Sequence, residues 1–114
     1  MNYTYRAKVD RIIDGDTVDV DIDLGCHVVI RERLRLYGIN APELRKPTRQ
    51  EGIAATEWLT QALNATDDDG YITIKTHKDK KGKYGRYLAT LFDANGVDLN
   101  SHMVAAGHAV FVDY

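Results

Sequence analysis

The sequence contains little cysteine and no long run of apolar residues. Its one cysteine, Cys26, excludes an internal disulfide, and because no catalytic motif surrounds it we interpret it as a bystander. No stretch approaches the roughly 20 consecutive apolar residues that span a bilayer. The N-terminus also lacks the apolar segment that a signal peptide requires. These absences predict a protein without a membrane partner, located in the cytoplasm.

The composition is that of an ordinary globular protein. Of the 114 residues, 44% are hydrophobic and 28% are charged, values that argue against a disordered chain. A chain of this length suits one compact domain. We therefore expect a single domain over residues 1–114, with a monomer as the default oligomeric state.

Charges of opposite sign are concentrated in separate segments, although the formal net charge is only −2. Residues 10–23 carry six Asp and one Arg, residues 31–49 carry six basic and two acidic residues, and residues 75–86 carry six basic residues and one Asp. A site that binds phosphate together with a metal needs both signs close by. Solvated surface charge is the alternative interpretation of the same pattern.

The periodicity of the apolar residues predicts mostly strands. Alternation and turn signals indicate strands at residues 5–13, 17–24, 28–39, 71–76 and 87–92, with a last extended piece at 109–112. Helical spacing predicts a helix over 49–64, preceded by Thr48 and Glu51 at capping-box spacing, and a short helix that ends at Gly107. Residues 77–86 are expected to form a basic loop. This order suits an α+β, mainly β fold, a five-stranded barrel of the OB type with two helices.

The third predicted strand carries one residue that breaks its pattern. Val28, Ile30, Leu34 and Leu36 alternate on the side expected to face the core. Glu32 occupies the same side, and nothing in the sequence explains a carboxylate there.

Three segments carry side chains suited to phosphate chemistry. They are Asp-Gly-Asp-Thr-Val at residues 14–18, Arg-Leu-Tyr-Gly-Ile-Asn-Ala-Pro-Glu at residues 35–43, and Lys-Tyr-Gly-Arg at residues 83–86. Taken singly, each has an ordinary interpretation as a turn, a loop or a basic hairpin. Together they supply what phosphodiester hydrolysis needs: an activated water, a cation beside the non-bridging oxygens, and help for the leaving alkoxide.

Oxygen donors for a divalent cation lie in the first two segments. Hard cations prefer oxygen ligands, and Asp16 and Asn40 offer side-chain oxygens. Ala41 precedes a proline, which favours an extended backbone, so its carbonyl is a further candidate ligand. Asp16 stands at a strand start, where a carboxylate is costly unless it is paired or metal-bound.

Three charged side chains are candidates for the reaction itself. Glu43 lies close to the candidate ligands in sequence and is a candidate general base acting through a water. Arg35 and Arg86 carry bidentate forks suited to phosphate.

In this order and spacing, the three segments resemble the staphylococcal nuclease (thermonuclease) family. The resemblance extends from about Tyr5 to Ala109, including the positions of the helices. It implies an OB-type barrel and a nuclease that cuts phosphodiester bonds in DNA or RNA. It also implies one calcium ion as cofactor, with other divalent ions open. The family has a third, C-terminal helix, for which these 114 residues offer no counterpart.

The resemblance implies a role for each matching residue. Asp16, Asn40 and the Ala41 carbonyl match the calcium ligands, although the family usually has a second aspartate where this sequence has Asn40. The other matches are Glu43 as general base, Arg35 and Arg86 on the phosphate, and Lys83 and Tyr84 as contacts to a nucleotide phosphate.

Further basic and aromatic residues have two interpretations each. The lysine-rich run around residues 75–83 forms either a solvated face or a grip on the substrate strand, which we favour beside Arg86. Tyr84 and Tyr114 are candidates for stacking on bases, whereas packing is favoured for Tyr37 and Tyr87. His77 is interpreted as exposed, with a phosphate contact as the alternative.

The leading alternative to an enzyme is a binding module. It would keep the same barrel and hold nucleic acid or a protein through its basic face without turnover. The loss of one carboxylate at Asn40 favours this alternative, whereas the presence of Arg35, Glu43 and Arg86 favours the enzyme.

Overall fold

The fold is a small closed β-barrel with two helices. The computed structural model describes residues 3–81 and 87–112, with the backbone alone for residues 78–81. The strands are β1 (Tyr3–Asp14), β2 (Thr17–Asp23), β3 (Val29–Leu36), β4 (Ile39–Asn40), β5 (Ile72–Lys81), β6 (Tyr87–Phe92) and β7 (Val110–Phe111). The helices are α1 (Arg49–Ala62), between β4 and β5, and α2 (Leu99–Ala105), between β6 and β7.

Five strands close the barrel in the order β1-β2-β3-β6-β5. All neighbours are antiparallel except β3 and β6, which run parallel and pair only from Leu34 to Leu36 with Tyr87 to Ala89. β4 and β7 form a separate two-stranded sheet. The predicted OB-type barrel with two helices is therefore confirmed.

Alternating side chains of the strands fill the barrel. Val18, Val20 and Ile22 on β2 are buried, as their alternation with Asp residues predicts. Leu59 of α1 and Met103 of α2 add to the same core. Among the described residues, neither helix is long and apolar enough to cross a bilayer.

The prediction for the third strand is wrong in its first half. Ile30 is 38% exposed and Val28, just before β3, is 47% exposed, although both were placed on the core side. The reason is that β3 reaches its second partner, β6, only at Leu34. Before that point β3 has only β2 beside it within the described residues.

Two other local predictions are corrected. The predicted loop at 77–86 begins later, because β5 continues to Lys81. The capping box is not formed, since the Thr48 hydroxyl donates to the carbonyls of Glu43 and Arg45 rather than capping α1. A hydroxyl with a nearby loop carbonyl has an alternative to the helix amides.

Candidate active site

The hairpin between β1 and β2 brings Asp16 against two other parts of the chain. Gly15, between Asp14 and Asp16, is buried. A Cβ at Gly15 would lie 2.8 Å from the Cβ of Ala41 and 2.9 Å from the Cβ of Ala55 on α1. Only glycine allows so close an approach. The missing side chain therefore lets the hairpin sit between the loop after β4 and α1.

The Asp16 carboxylate is held by groups from the loop after β4, from β3 and from the start of β2. Its Oδ2 accepts a hydrogen bond from the Ala41 amide at 3.0 Å and lies 3.4 Å from Nη1 of Arg35. Its Oδ1 accepts from the Thr17 hydroxyl at 3.1 Å. The side chains of Arg35 and Asp16 are only 11% and 13% exposed, so their attraction is weakly screened by water.

Arg35 joins Asp16 to Asn40. Its Nη1 also donates to the Leu36 carbonyl at 3.0 Å, and its Nη2 donates to Oδ1 of Asn40. Four residues that the sequence assigned to metal or phosphate, namely Asp16, Arg35, Asn40 and Ala41, are therefore brought together.

Asn100 of α2 fixes the turn between Arg35 and Asn40 from the buried side of the turn. Asn100 is buried, and its side-chain amide donates to the carbonyls of Tyr37 and Ala89. Its Oδ1 accepts from the Leu91 amide at 3.1 Å. A buried amide with its donors and acceptor satisfied holds its neighbours in one geometry. Sequence reasoning missed this residue, because one Asn in a short helix gives no signal of its own.

Asp14 is a second carboxylate at the site that sequence reasoning treated only as a turn residue. It accepts a hydrogen bond from the Asp16 amide at 3.1 Å. Burial raises the pKa of Asp14, and its side-chain hydrogen bond with Asp16 raises it further. Removing a carboxylate from water beside another acid disfavours its charged form. The Asp-Gly-Asp spacing was the available signal.

Glu43 is positioned by its backbone rather than by its carboxylate. Its carbonyl accepts from the Thr48 hydroxyl at 3.0 Å, and any side chain at Gly52 of α1 would overlap that carbonyl oxygen. The carboxylate is 63% exposed and pairs with Nε of Arg45 at 2.7 Å. Its described ion pair is thus with Arg45 and not with Arg35 of the cluster.

Four predicted site residues lie outside the described residues: Lys83, Tyr84, Arg86 and Tyr114. The predicted roles of these residues therefore stay predictions.

His77 is half-buried, which corrects its interpretation as exposed. Its ring stacks on Tyr37 with 3.7 Å between the ring centroids, and its Nε2 lies 2.7 Å from the Thr90 hydroxyl. Desolvation, with a smaller effect of Lys75, lowers the pKa of His77. Tyr37 thus packs on His77, although 37% of Tyr37 is exposed.

The donor set at the cluster suits a hard cation. It consists of the Asp16 carboxylate, the exposed Asn40 amide oxygen and the backbone near Ala41, and hard divalent ions take such oxygen ligands. Within the described residues, no group of three or more His, Cys, Asp or Glu side chains is arranged to hold a metal. Two features count against tight binding, because Asn40 brings no charge and its oxygen is already bonded to Arg35.

Next to the cluster, a ladder of ion pairs connects β3 to β2 and β1. We define the ladder as Arg31 with Asp10 and Asp21, and Arg33 with Asp19. Each arginine donates two hydrogen bonds to its β2 partner, at 2.8 and 3.1 Å. The arginine hydrogen bond lowers the pKa of Asp19 and of Asp21. Much of the charge that is segregated in the sequence is thus neutralised across the sheet.

The structure is thus a closed five-stranded barrel with an Asp–Arg–Asn cluster at one end. The sequence model of one family, described as staphylococcal nuclease homologue, matches residues 33–114. The chain belongs to this family.

Several proteins named as nucleases are similar in sequence to this chain. The chain is 34% identical over 84 residues to a thermonuclease of Staphylococcus intermedius, covering 71% of this chain and 45% of that protein. It is 29% identical over 113 residues to endonuclease YhcR of Bacillus subtilis, covering 92% and 9% of the two chains. An uncharacterized endonuclease of Escherichia coli is 29% identical over 104 residues, covering 91% and 59%. The chain thus spans 59% or less of each of these proteins.

Proposed function

We propose that this protein is a metal-dependent nuclease that hydrolyses phosphodiester bonds in DNA, RNA or both. The observation that carries the proposal is the cluster of Asp16, Arg35, Asn40 and Ala41, in a chain of the staphylococcal nuclease homologue family. The names of its relatives, thermonuclease and endonuclease, support the same reaction.

Arg35 binds the scissile phosphate in this proposal. Its fork is held against the protein by Asp16 and Leu36, while the Asn40 oxygen is a neutral partner on an exposed side chain. A phosphate oxygen is a stronger acceptor for a guanidinium than a neutral amide is. Nη2 can therefore pass from Asn40 to phosphate while Nη1 stays anchored. Arg86 supplies the second fork, and the two stabilise charge that develops in the transition state.

Asp16, Asn40 and the Ala41 carbonyl hold one Ca²⁺ in this proposal. When bound, the ion supplies positive charge beside the non-bridging phosphate oxygens and lowers the pKa of bound water. The tie between the Ala41 amide and Asp16 fixes the carboxylate for this task. Asp14 fixes the backbone of Asp16 by accepting a hydrogen bond from the Asp16 amide.

Glu43 acts as the general base through a water. Its carboxylate is exposed and its partner Arg45 is 80% exposed, so the ion pair between them is weak and easily exchanged. The backbone of Glu43 is fixed against α1 by Thr48 and Gly52. Lys83, Tyr84 and Tyr114 bind the substrate strand.

A binding module without turnover is the second candidate. One observation favours it, namely that the neutral Asn40 leaves Asp16 as the charged member of the proposed ligand set. Ligand charge is a main determinant of calcium affinity. The two candidates differ in turnover and not in binding.

Cleavage of end-labelled DNA and RNA oligonucleotides, with Ca²⁺ and then with a chelator, tests the proposal. The wild-type chain should cut at least one substrate with Ca²⁺ and lose activity on chelation. Glu43→Gln should lower kcat by about 10²-fold or more, within the usual range of general-base contributions. Glu57→Gln, an exposed acid on α1, is the matched control and should leave kcat unchanged.

Two results would contradict this proposal in different ways. Binding of oligonucleotides without cleavage under Ca²⁺, Mg²⁺ or Mn²⁺ would establish the binding module. Undiminished cleavage after exhaustive chelation would remove the metal from the reaction.

A further inference from the structure

The barrel contains an apolar pocket at the end where β2 turns into β3, away from the hairpin that carries Asp16. Its volume is about 220 Å³, below the about 300–1,000 Å³ of pockets for drug-sized ligands, and suits one planar ring system. Its walls are mostly aliphatic and aromatic: Tyr5, Ile22, Leu24, Ile30, Leu34 and Tyr87, with Thr76 and Glu32.

Glu32 stands midway down this pocket. Along the inner side of β3, Ile30 at the rim is exposed, Glu32 is half-buried, and Leu34 at the floor is fully buried. Glu32 lies directly opposite Val20, which is also fully buried. Every neighbouring inward position on these two strands is aliphatic, so the carboxylate occupies a core position.

The Glu32 carboxylate has no hydrogen bond or ion pair within the part of the chain that the structure describes. The arginines on either side of it in the sequence, Arg31 and Arg33, face outward and are engaged by Asp21 and Asp19. An acid among aliphatic side chains costs free energy unless a donor reaches it. Its geometry therefore suits a ligand with an apolar body and adjacent N–H groups.

We propose that this pocket is a subsite for a guanine base of the substrate strand, an inference that rests on the proposed nuclease function. Guanine presents N1–H and its exocyclic amine side by side, and these match the two oxygens of the Glu32 carboxylate. Thymine and uracil present one N–H between two carbonyl oxygens, which a carboxylate repels. The aliphatic and tyrosine walls take the faces of the ring, as aromatic and apolar side chains do in base recognition.

The subsite lies within reach of the proposed reaction centre. Glu32 and Arg35 are three residues apart on β3, which is about 10 Å at a strand rise of roughly 3.3 Å per residue. A stacked strand advances about 3.4 Å per nucleotide, so the bound base belongs within about three nucleotides of the phosphate on Arg35. Within the described residues, the edge of β3 that faces away from β2 carries no strand before Leu34, and in this proposal the substrate strand passes between the two faces there.

Titration of the full chain with deoxyguanosine, deoxyinosine and thymidine, followed by amide NMR shifts, tests the subsite without any need for activity. Deoxyguanosine should bind and shift the amide signals of Ile22, Ile30 and Glu32. Deoxyinosine keeps N1–H but lacks the amine and should bind more weakly, and thymidine should not bind. Glu32→Gln should weaken deoxyguanosine by about tenfold, within the range of bidentate base contacts. Glu57→Gln should leave it unchanged.

Glu32→Leu separates a binding role from a structural one. It should abolish deoxyguanosine binding and raise the midpoint of thermal unfolding, because an aliphatic side chain replaces an acid among aliphatic neighbours. A lowered midpoint would make the carboxylate a structural group and would overturn the proposal. Equal shifts with all three nucleosides, or binding of a phenylethyl ammonium ion in place of deoxyguanosine, would also overturn it.

The failure of this proposal is distinguishable from failure of the nuclease proposal. Cleavage that depends on Ca²⁺ but is indifferent to guanine, in both wild type and Glu32→Gln, would remove the subsite and keep the nuclease. Deoxyguanosine binding lost in Glu32→Gln, in a chain that cuts no oligonucleotide, would keep a guanine site and remove the nuclease.

Discussion

The ion-pair ladder and the Asp16–Arg35 cluster are neighbours along β2 and β3, and both are built from arginine and aspartate. They pair these residues in different ways. In the ladder, Arg33 lies directly opposite Asp19 and Arg31 directly opposite Asp21. At the end of the strands Arg35 lies opposite Thr17, and Asp16 is one residue out of step. Arg33 therefore places Nε and Nη2 on the one carboxylate of Asp19, whereas Arg35 divides its guanidinium between Asp16, Leu36 and Asn40.

The register between β2 and β3 decides whether a carboxylate takes up both donors of an arginine. A carboxylate in register takes up both donors of an arginine whose own side chain is largely in solvent. Ion pairs of such exposed side chains contribute little. The Arg33 side chain is 50% exposed, whereas that of Arg35 is 11% exposed. A one-residue offset leaves Arg35 with a neutral partner that an anion can replace. Ladder and cluster are therefore distinguished by geometry and not by composition.

Alanine variants of Arg35 and Arg33 should differ strongly in turnover. Arg35→Ala should lower kcat by about 10²-fold or more, judging from the loss of single oxyanion donors. Arg33→Ala removes the same side chain two residues earlier and should keep kcat within about twofold, because its fork is committed to Asp19. Steady-state kinetics on one oligonucleotide measures both. Equal losses in the two variants, or a raised KM alone for Arg35→Ala, would contradict the distinction.

An intermediate effect is expected when a second carboxylate is added to the cluster. Asn40→Asp places a full charge beside Asp16, and we expect calcium affinity to rise by about tenfold, equivalent to roughly 1.4 kcal/mol. Calorimetric titration of both forms with Ca²⁺ measures the change. Asn64→Asp, at a position outside the cluster, is the control. Equal affinities for the wild type and Asn40→Asp would show that residue 40 is not a ligand.

Asp19 and Asp14 should contribute to the free energy of unfolding with opposite signs, and each contribution should be small. The pKa of Asp19 is lowered by Arg33, so its contribution is present above the unfolded pKa and is lost as pH falls through the folded pKa. The pKa of Asp14 is raised, chiefly by burial, so the ionised form of Asp14 opposes folding at neutral pH. In metal-free buffer at pH 7, Asp19→Asn should lower the free energy of unfolding slightly and Asp14→Asn should raise it.

Urea unfolding of these two variants at pH 7 and at about pH 2 measures both signs. As the pH falls toward about 2 the carboxyls take up protons in both states, so each difference from wild type should shrink. The same sign for both variants at pH 7 would contradict the assigned environments.

The parts of the fold that depend on neighbours in sequence were predictable. The alternation of Val18, Val20 and Ile22 with Asp residues defined β2 and its buried face. The exposure of Ile30 was not predictable, because it depends on where β6 joins β3 from the other half of the chain. The late end of β5 is of the same kind, since its pairing with β6 extends to Lys81 opposite Tyr87.

The candidate site was predictable as a set of residues but not as a set of contacts. Asp16, Arg35, Asn40 and Ala41 were chosen from spacing and resemblance, and the structure brings them together. The pairing of Glu43 with Arg45 depends on side-chain reach in a loop and has no sequence signal. The support of the turn by Asn100 arises only when α2 docks on β6.

The parallel pairing of β3 with β6 determines when Arg35 is fixed during synthesis of the chain. Arg35 is paired with Leu88, and the Tyr37 amide that follows donates to the Ala89 carbonyl at 2.8 Å. A nascent chain that ends before Leu88 contains β1, β2 and β3, but it lacks the pairing with β6 that holds Arg35 in place. Parallel contacts between distant segments form late, because a long loop must close before they are made. Arg35 is thus fixed only after the residues up to Ala89 have left the ribosome.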